Sequence, residues 1–198
     1  MTSQIFDFNA DILPEIIYMD TSYIRELYGQ ITNPVRQGQC DAFHQRMQTE
    51  QIIMVITSLV LEELRHIILR GIYRPYATAQ RMDWRQLLRT DKSYVLTAIA
   101  EIRRIEALLN MDPLIIILNA DLTYSVNDDA LQIMEAYGVD SADAYHVALA
   151  RQNEINSFVT LDQDFGQIGN INIFTCDAVL LRNQTTATTL LPFSSSTI

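Results

Sequence analysis

The stretch IIYMDTSY, residues 16–23, sets a short apolar run directly against an acid at Asp20. Four consecutive apolar residues, opened by two isoleucines, have the length and β-branching of a strand buried on both faces. Runs of the same kind recur at 52–57 (IIMVIT), 114–118 (LIIIL), 157–160 (SFVT) and 171–175 (INIFT). Helical patterns fill intervals between them, at 58–70, at 81–110 in at least two pieces, at 126–137 and at 141–153. Val95, Ile99, Ile102, Ile105 and Leu109 step by four, three, three and four, which predicts a core-facing stripe. Buried strands alternating with helices predict an α/β fold of three layers, α/β/α, around a mostly parallel central sheet. The expected organisation is a single domain over 1–198, with 71–113 as a helical insertion in the middle of the chain. The uncharged, Ser/Thr-rich stretch 183–198 is expected to be a disordered or draped tail.

Composition narrows the function classes. The chain of 198 residues is 48% hydrophobic, enough for one ordinary core. Its longest apolar run, 52–61, is about half of the ~20 residues a membrane-crossing helix needs, so no membrane association is expected. The first residues carry acids where a secretory signal carries basic residues, which predicts a cytoplasmic location. Cys40 and Cys176 lack metal-ligand spacing and read as buried free thiols. The net charge of −10 argues against nucleic-acid binding through charge alone. Between Arg65 and Arg104, however, nine basic residues face three acids. One basic segment therefore sits on a strongly acidic body.

The acids at strand ends bear on chemistry, because ligand sites of parallel sheets form beyond the carboxyl ends of the strands. Asp20 closes the first such run, and helix capping alone explains a lone Asp there as well as ligation does. After the strand at 52–57 comes TSLVLEEL, with Glu62 and Glu63 adjacent. Glu62 shares a helix face with Arg65 and His66, whereas Glu63 shares its side with Leu59 and Ile67. In VDSADAYHVALA, 139–150, Asp143 falls in the first helical turn, where the helix dipole favours an acid. His146 follows three residues later and reads as an ordinary helix histidine rather than a ligand. In FVTLDQDF, 158–165, Thr160, Asp162 and Asp164 follow a short strand, and turn chemistry accounts for only one of the acids. If Asp20, Glu63, Asp143 and Asp162 converge, each pair 5 Å apart repels by about 3 kcal/mol at an effective dielectric of 20. Such a set needs cations, and hard oxygen donors select Mg²⁺ or Mn²⁺.

The series IIYMDTSY, TSLVLEEL, SADAYHVALA and FVTLDQDF, in that order, resembles the PIN-domain nucleases, including the VapC-type toxin ribonucleases. The resemblance covers about residues 14–70 and 114–176. It implies a PIN-like fold and matches Asp20, Glu63, Asp143 and Asp162 to the family's catalytic and metal-holding acids. Ser22 and Thr160 match supporting hydroxyls, and Asp164 stands beside Asp162 as a supporting or substitute acid. The doublet leaves Glu62 or Glu63 open as the second ligand. The implied activity is Mg²⁺- or Mn²⁺-dependent hydrolysis of single-stranded RNA by an endoribonuclease, in a toxin with an antitoxin protein as partner. A homodimer is also left open. The Arg65–Arg104 segment would supply phosphate contacts, with Tyr73, Tyr76 and Trp84 for base stacking. The competing reading is a catalytically silent PIN-like binding or regulatory module. A phospho-acceptor receiver would need a lysine at a late strand end, but the sole lysine is Lys92. An aspartate-nucleophile phosphatase would need an acid where Ser22 stands.

Overall fold

Strand β1 (Gln4–Asp7) and strand β2 (Ile16–Met19) open the chain, and β2 becomes the centre of the sheet. A computed structural model describes residues 3–29 and 33–182, so the tail at 183–198 lies outside the described residues. The other strands are β3 (Ile53–Thr57), β4 (Ile115–Leu118), β5 (Ser157–Val159) and β6 (Asn172–Thr175). They form one six-stranded sheet in the order β1-β6-β5-β2-β3-β4, with every pairing parallel. Ile17, Tyr18 and Met19 of β2 are fully buried, as a continuous apolar strand in the middle of a covered sheet must be. Tyr18 sits opposite Val55 of β3 on one side and Phe158 of β5 on the other. The carboxyl ends of these three strands are thereby level.

The helices are α1 (Thr21–Tyr28), α2 (Pro34–Thr49), α3 (Ser58–Ala79), α4 (Trp84–Thr90), α5 (Val95–Met111), α6 (Tyr124–Tyr137) and α7 (Ser141–Gln152). Among the described residues none is long and apolar enough to cross a membrane. The predicted strands are all present, and the fold is the expected α/β arrangement. Three elements lay outside the sequence reading: β1, α1 and α2. Helix α2 buries Cys40, Phe43, His44 and Met47. That is an i, i+3, i+4, i+7 row, hidden in the sequence because a cysteine and a histidine fill two of its places.

Two expectations in the middle of the chain need correction. Helix α3 was expected to stop at Arg70, before Gly71 and Pro75, but it runs on to Ala79. Pro75 costs one backbone hydrogen bond. The continuation is held because Tyr73 and Ala77 pack with Leu87 of α4 into a cluster separate from the main core. Tyr73 is therefore buried, its hydroxyl donating to Asp91 O at 3.0 Å, and is not available for stacking. Tyr76 stacks on Tyr94 instead, with ring centroids 3.8 Å apart. The stripe on α5 is also shifted. Ala98, Ile105 and Leu109 are buried, whereas Ile99 is 36% exposed. Cys40 and Cys176, remote in sequence, are neighbouring free thiols. The hydrogen bond to Cys176, with burial, pushes the Cys40 thiol upward.

Candidate metal centre

Three features of the topology bring polar side chains to one end of the sheet. Helix α1 starts directly after β2, and α3 starts directly after β3, so both N-termini lie at the carboxyl ends of the strands. Helix α7 precedes β5, and the chain must return along the sheet to enter that strand. Its first turn therefore lies over the same end. The strand order turns back on itself around β2, where β3 follows on one side and β5 on the other, and a ligand crevice is expected at such a point. The crevice is a cleft of 390 Å³, lined among others by Asp20, Glu63, Asp143 and Asp162.

Asp20 ends β2 by donating its backbone N–H to Val159 O at 3.1 Å, and it also caps α1. Capping and ligation were alternatives in the sequence, yet the two carboxylate oxygens divide the work. Oδ2 accepts from Ser22 N at 3.1 Å, from the Ser22 hydroxyl, and from Thr160 Oγ1 at 2.8 Å. Oδ1 accepts no hydrogen bond among the described residues. Ser22 Oγ in turn accepts from Leu161 N at 2.9 Å, which ties the turn after β5 to α1. Ser22 and Thr160 thus hold the carboxylate in a fixed orientation. Because Thr160 is fully buried, Thr160→Val is expected to cost about 1–3 kcal/mol in an equilibrium denaturant titration, since an acceptor of Asp20 loses its partner.

Glu63 presents its carboxylate about one and a half turns into α3. Its Oε2 accepts from Thr21 Oγ1 at 2.5 Å and from His146 Nε2 at 3.2 Å. The His146 bond, reinforced by Thr21 and by the charges of His146 and His66, lowers its pKa despite burial. His146 Nδ1 lies 2.9 Å from the Tyr18 hydroxyl, which is 2.8 Å from Thr57 Oγ1. Burial presses His146 downward, but the bond to Glu63 and the charges of Asp20, Glu63 and Asp143 outweigh it, so its pKa is raised. One ligand atom each from Asp20, Glu63 and His146 lie within 4.8 Å of one another. Both ring nitrogens of His146 are already engaged, however, so the imidazole orients Glu63 rather than offering a lone pair. Glu62 points away and pairs with Arg65 at 2.6 Å on the surface, which separates the doublet.

Asp143 is set by the cap of α7, where Asp140 Oδ1 accepts from Ala142 N at 2.8 Å and Asp143 N at 3.1 Å. Its carboxyl is pushed up to about 7, first by burial and then by the charges of Asp140, Asp162 and Asp20, with His146 opposing. Asp162 is exposed at the cleft wall, and its Oδ1 accepts from Asp164 N at 3.0 Å. Asp164 also lines the cleft and opens a 3₁₀ turn at Asp164–Gln167. All the sequence-predicted site residues except Thr160 line this cleft, and Thr160 lies directly beneath Asp20. Thr21, Tyr18, Arg25 and Arg36 were not foreseen. Arg25 and Arg36 also line the cleft; Arg36 is committed to Glu26 at 2.7 Å, whereas Arg25 makes no ion pair among the described residues. No basic side chain pairs with Asp20, Asp143 or Asp162 among the described residues. The donor set is therefore hard and oxygen-only, with Glu63 alone paired to an imidazole, and it suits a divalent cation such as Mg²⁺ or Mn²⁺.

Comparison with known proteins agrees with the fold. In solved structures the fold is similar to VapBC2 from Rickettsia felis bound to a DNA fragment from their promoter, at TM-score 0.51 and 13% identity, covering 81% of this chain and 98% of that one. FitAcB from Neisseria gonorrhoeae matches at TM-score 0.49 and 18% identity, covering 80% and 96%. VapC20 from Mycobacterium tuberculosis, a Sarcin-Ricin loop cleaving toxin, matches at 0.47 and 16%, covering 75% and 92%. No curated protein sequence matches. The family model for the PIN domain matches residues 17–171, a span that runs from β2 to the threshold of β6 and holds all four acids. With that span covering most of the chain, this protein belongs to the PIN-domain family.

Proposed function

We propose that the chain is a metal-dependent endoribonuclease that hydrolyses phosphodiester bonds of single-stranded RNA, acting as a toxin restrained by an antitoxin protein. The observation that carries this reading is the division of labour in Asp20. One oxygen is fixed by Ser22 and Thr160, the other accepts no hydrogen bond among the described residues, and Glu63, Asp143 and Asp162 line the same cleft. Asp20, Glu63, Asp143 and Asp162 are the residues that would hold Mg²⁺ or Mn²⁺. Bound there, the cation stabilises charge on the scissile phosphate and lowers the pKa of a coordinated water.

The residues themselves divide into holders and positioners. Asp20 and Glu63 are held by hydroxyl and imidazole donors, so neither must reorganise to act. His146 positions Glu63 and, through Tyr18 and Thr57, fixes α7 and α3 to the central strand. Asp143 or Asp162 orients the attacking water, and Arg25 at the rim meets a phosphate oxygen. The likeness of the fold to VapBC2 from Rickettsia felis supports the antitoxin partner. Residues 71–113 are read as an addition to this core.

Hydrolysis by water with departure of the 3′ oxygen leaves a 5′-phosphate and a 3′-hydroxyl. The expected result is Mn²⁺-dependent cleavage of a single-stranded oligoribonucleotide with those ends, lost in EDTA. Products ending in a cyclic phosphate, or cleavage that persists in EDTA, would belong to different chemistry and refute the assignment.

A further inference from the structure

A second cleft, of 410 Å³, lies between α3 and α4 and plays no part in the chemistry above. Its walls carry His66, Arg70 and Arg74 from α3 and Trp84 and Arg85 from α4. His66, Arg70 and Arg74 recur every fourth residue, so they share one helix face at about 6 Å intervals along the axis. The row begins one turn beyond Glu63. Two arginines of this basic segment outside the cleft are neutralised: Arg65 pairs with Glu62 and Glu106, and Arg104 with Glu101. Arg70, Arg74 and Arg85 make no ion pair among the described residues. The acid of the cleft, Asp83, is occupied as the cap of α4, accepting from Arg85 N at 2.9 Å.

Trp84 supplies a second, independent feature. Its ring meets His66 edge-on at 5.3 Å and lies 4.9 Å from the Arg85 guanidinium. It is half-buried against the cluster of Tyr73, Ala77 and Leu87, so it is fixed rather than free to collapse. An aromatic face set among guanidinium groups is the arrangement that binds unpaired bases with their phosphates. An acidic polypeptide would satisfy the charges but give Trp84 nothing to stack on.

We propose that this cleft binds single-stranded nucleic acid, with phosphates along His66, Arg70 and Arg74 and a base against Trp84 and Arg85. This deepens and rests on the nuclease reading of the neighbouring acidic cleft, since it gives the path of the substrate strand along α3.

The sole tryptophan of the chain makes the test direct. Full-length protein in EDTA, where the proposed cleavage is silent, is titrated with an oligouridylate of about 12 nucleotides, within the usual span of single-strand sites. Expected are quenching of Trp84 emission and an affinity that falls steeply with salt. Arg70→Glu/Arg74→Glu should weaken binding at least about tenfold and flatten the slope of log K against log salt by about 1.4. Arg70→Gln/Arg74→Gln should shift both in the same direction by less. All four changes are on exposed side chains, and a matching melting temperature certifies the fold. Unchanged binding by the charge-reversed protein would overturn the proposal. So would equal quenching by an RNA duplex or by polyglutamate, the latter assigning the cleft to an acidic protein. Tight, arginine-dependent binding without any Mn²⁺-dependent cleavage would remove the nuclease reading while supporting the cleft.

Discussion

Asp20→Asn is expected to reduce cleavage of single-stranded RNA by about 10³-fold or more, equivalent to about 4 kcal/mol of transition-state stabilisation, while leaving the fold intact. Asparagine keeps one acceptor oxygen for Ser22 and Thr160, so the turn between β2 and α1 and its link to the end of β5 survive. Its amide nitrogen then replaces Oδ1, the oxygen that accepts no hydrogen bond among the described residues. A neutral donor cannot ligate a cation, and the set loses a full negative charge. Initial rates in Mn²⁺, paired with a thermal melt in EDTA, separate the two consequences. The melt should move little, or upward, because removing one of several like charges relieves repulsion. Wild-type and mutant rates within tenfold of each other would sink the assignment of Asp20.

The second large effect is stabilisation by the cation itself. At a concentration of one hundred times its dissociation constant, a ligand bound only by the native state adds about 2.7 kcal/mol. For a chain of this size that corresponds to a rise in Tm of about 5–10 °C. Asp143→Asn should abolish most of the shift. The effect also has a defined pH window. The Asp143 carboxyl lies near 7 in the folded protein against an ordinary value of 3.8. Between those values the native state holds more protons than the unfolded chain, so the metal-free contribution of this group falls as pH rises from about 4 to about 7. Ligation needs the carboxylate, so binding expels that proton and tightens as pH rises through the same window, levelling off above it. Calorimetric titration of Mn²⁺ at about pH 6 and pH 8 in two buffers of different ionisation enthalpy measures both affinity and proton release. Affinity that does not change with pH would contradict this account of Asp143.

The sheet was legible because its strands carry uninterrupted apolar runs, buried on both faces at Ile17–Met19 and Met54–Ile56, although the run expected to be buried at 114–118 forms an edge strand that exposes Ile116 and Ile117. Strand β1 was not, since QIFD lies at an edge, holds only two apolar residues and buries only Ile5. The length of α3 was hidden behind Gly71 and Pro75, whose local cost is overridden by the packing of Tyr73 and Ala77. At the site, the acids stood out because each follows an apolar strand or opens a helix over one. Their supports did not. Nothing in the sequence says that Thr21 reaches Glu63 across 42 positions, or that His146 faces Tyr18 across 128. His146 looked like a helix histidine, and both its nitrogens are indeed satisfied, yet its partners make it part of the acidic site. The choice between Glu62 and Glu63 rested on helix phase, and the surface pair with Arg65 resolves which of them faces the cleft.

The order in which the strands pair has a consequence for synthesis on the ribosome. Strand β1 joins β6, with Gln4 opposite Asn172, and the central β2 receives its second neighbour only at Phe158 and Val159. A nascent chain emerging at about 5–20 residues per second therefore carries Asp20 and Glu63 for many residues before Thr160 arrives to lock the first of them. The acidic centre is thus completed late, with only β6 and its pairing to β1 still to follow among the strands. Truncated translation products ending between Asp143 and Thr160 would carry three of its four carboxylates without the hydroxyl that orients the first.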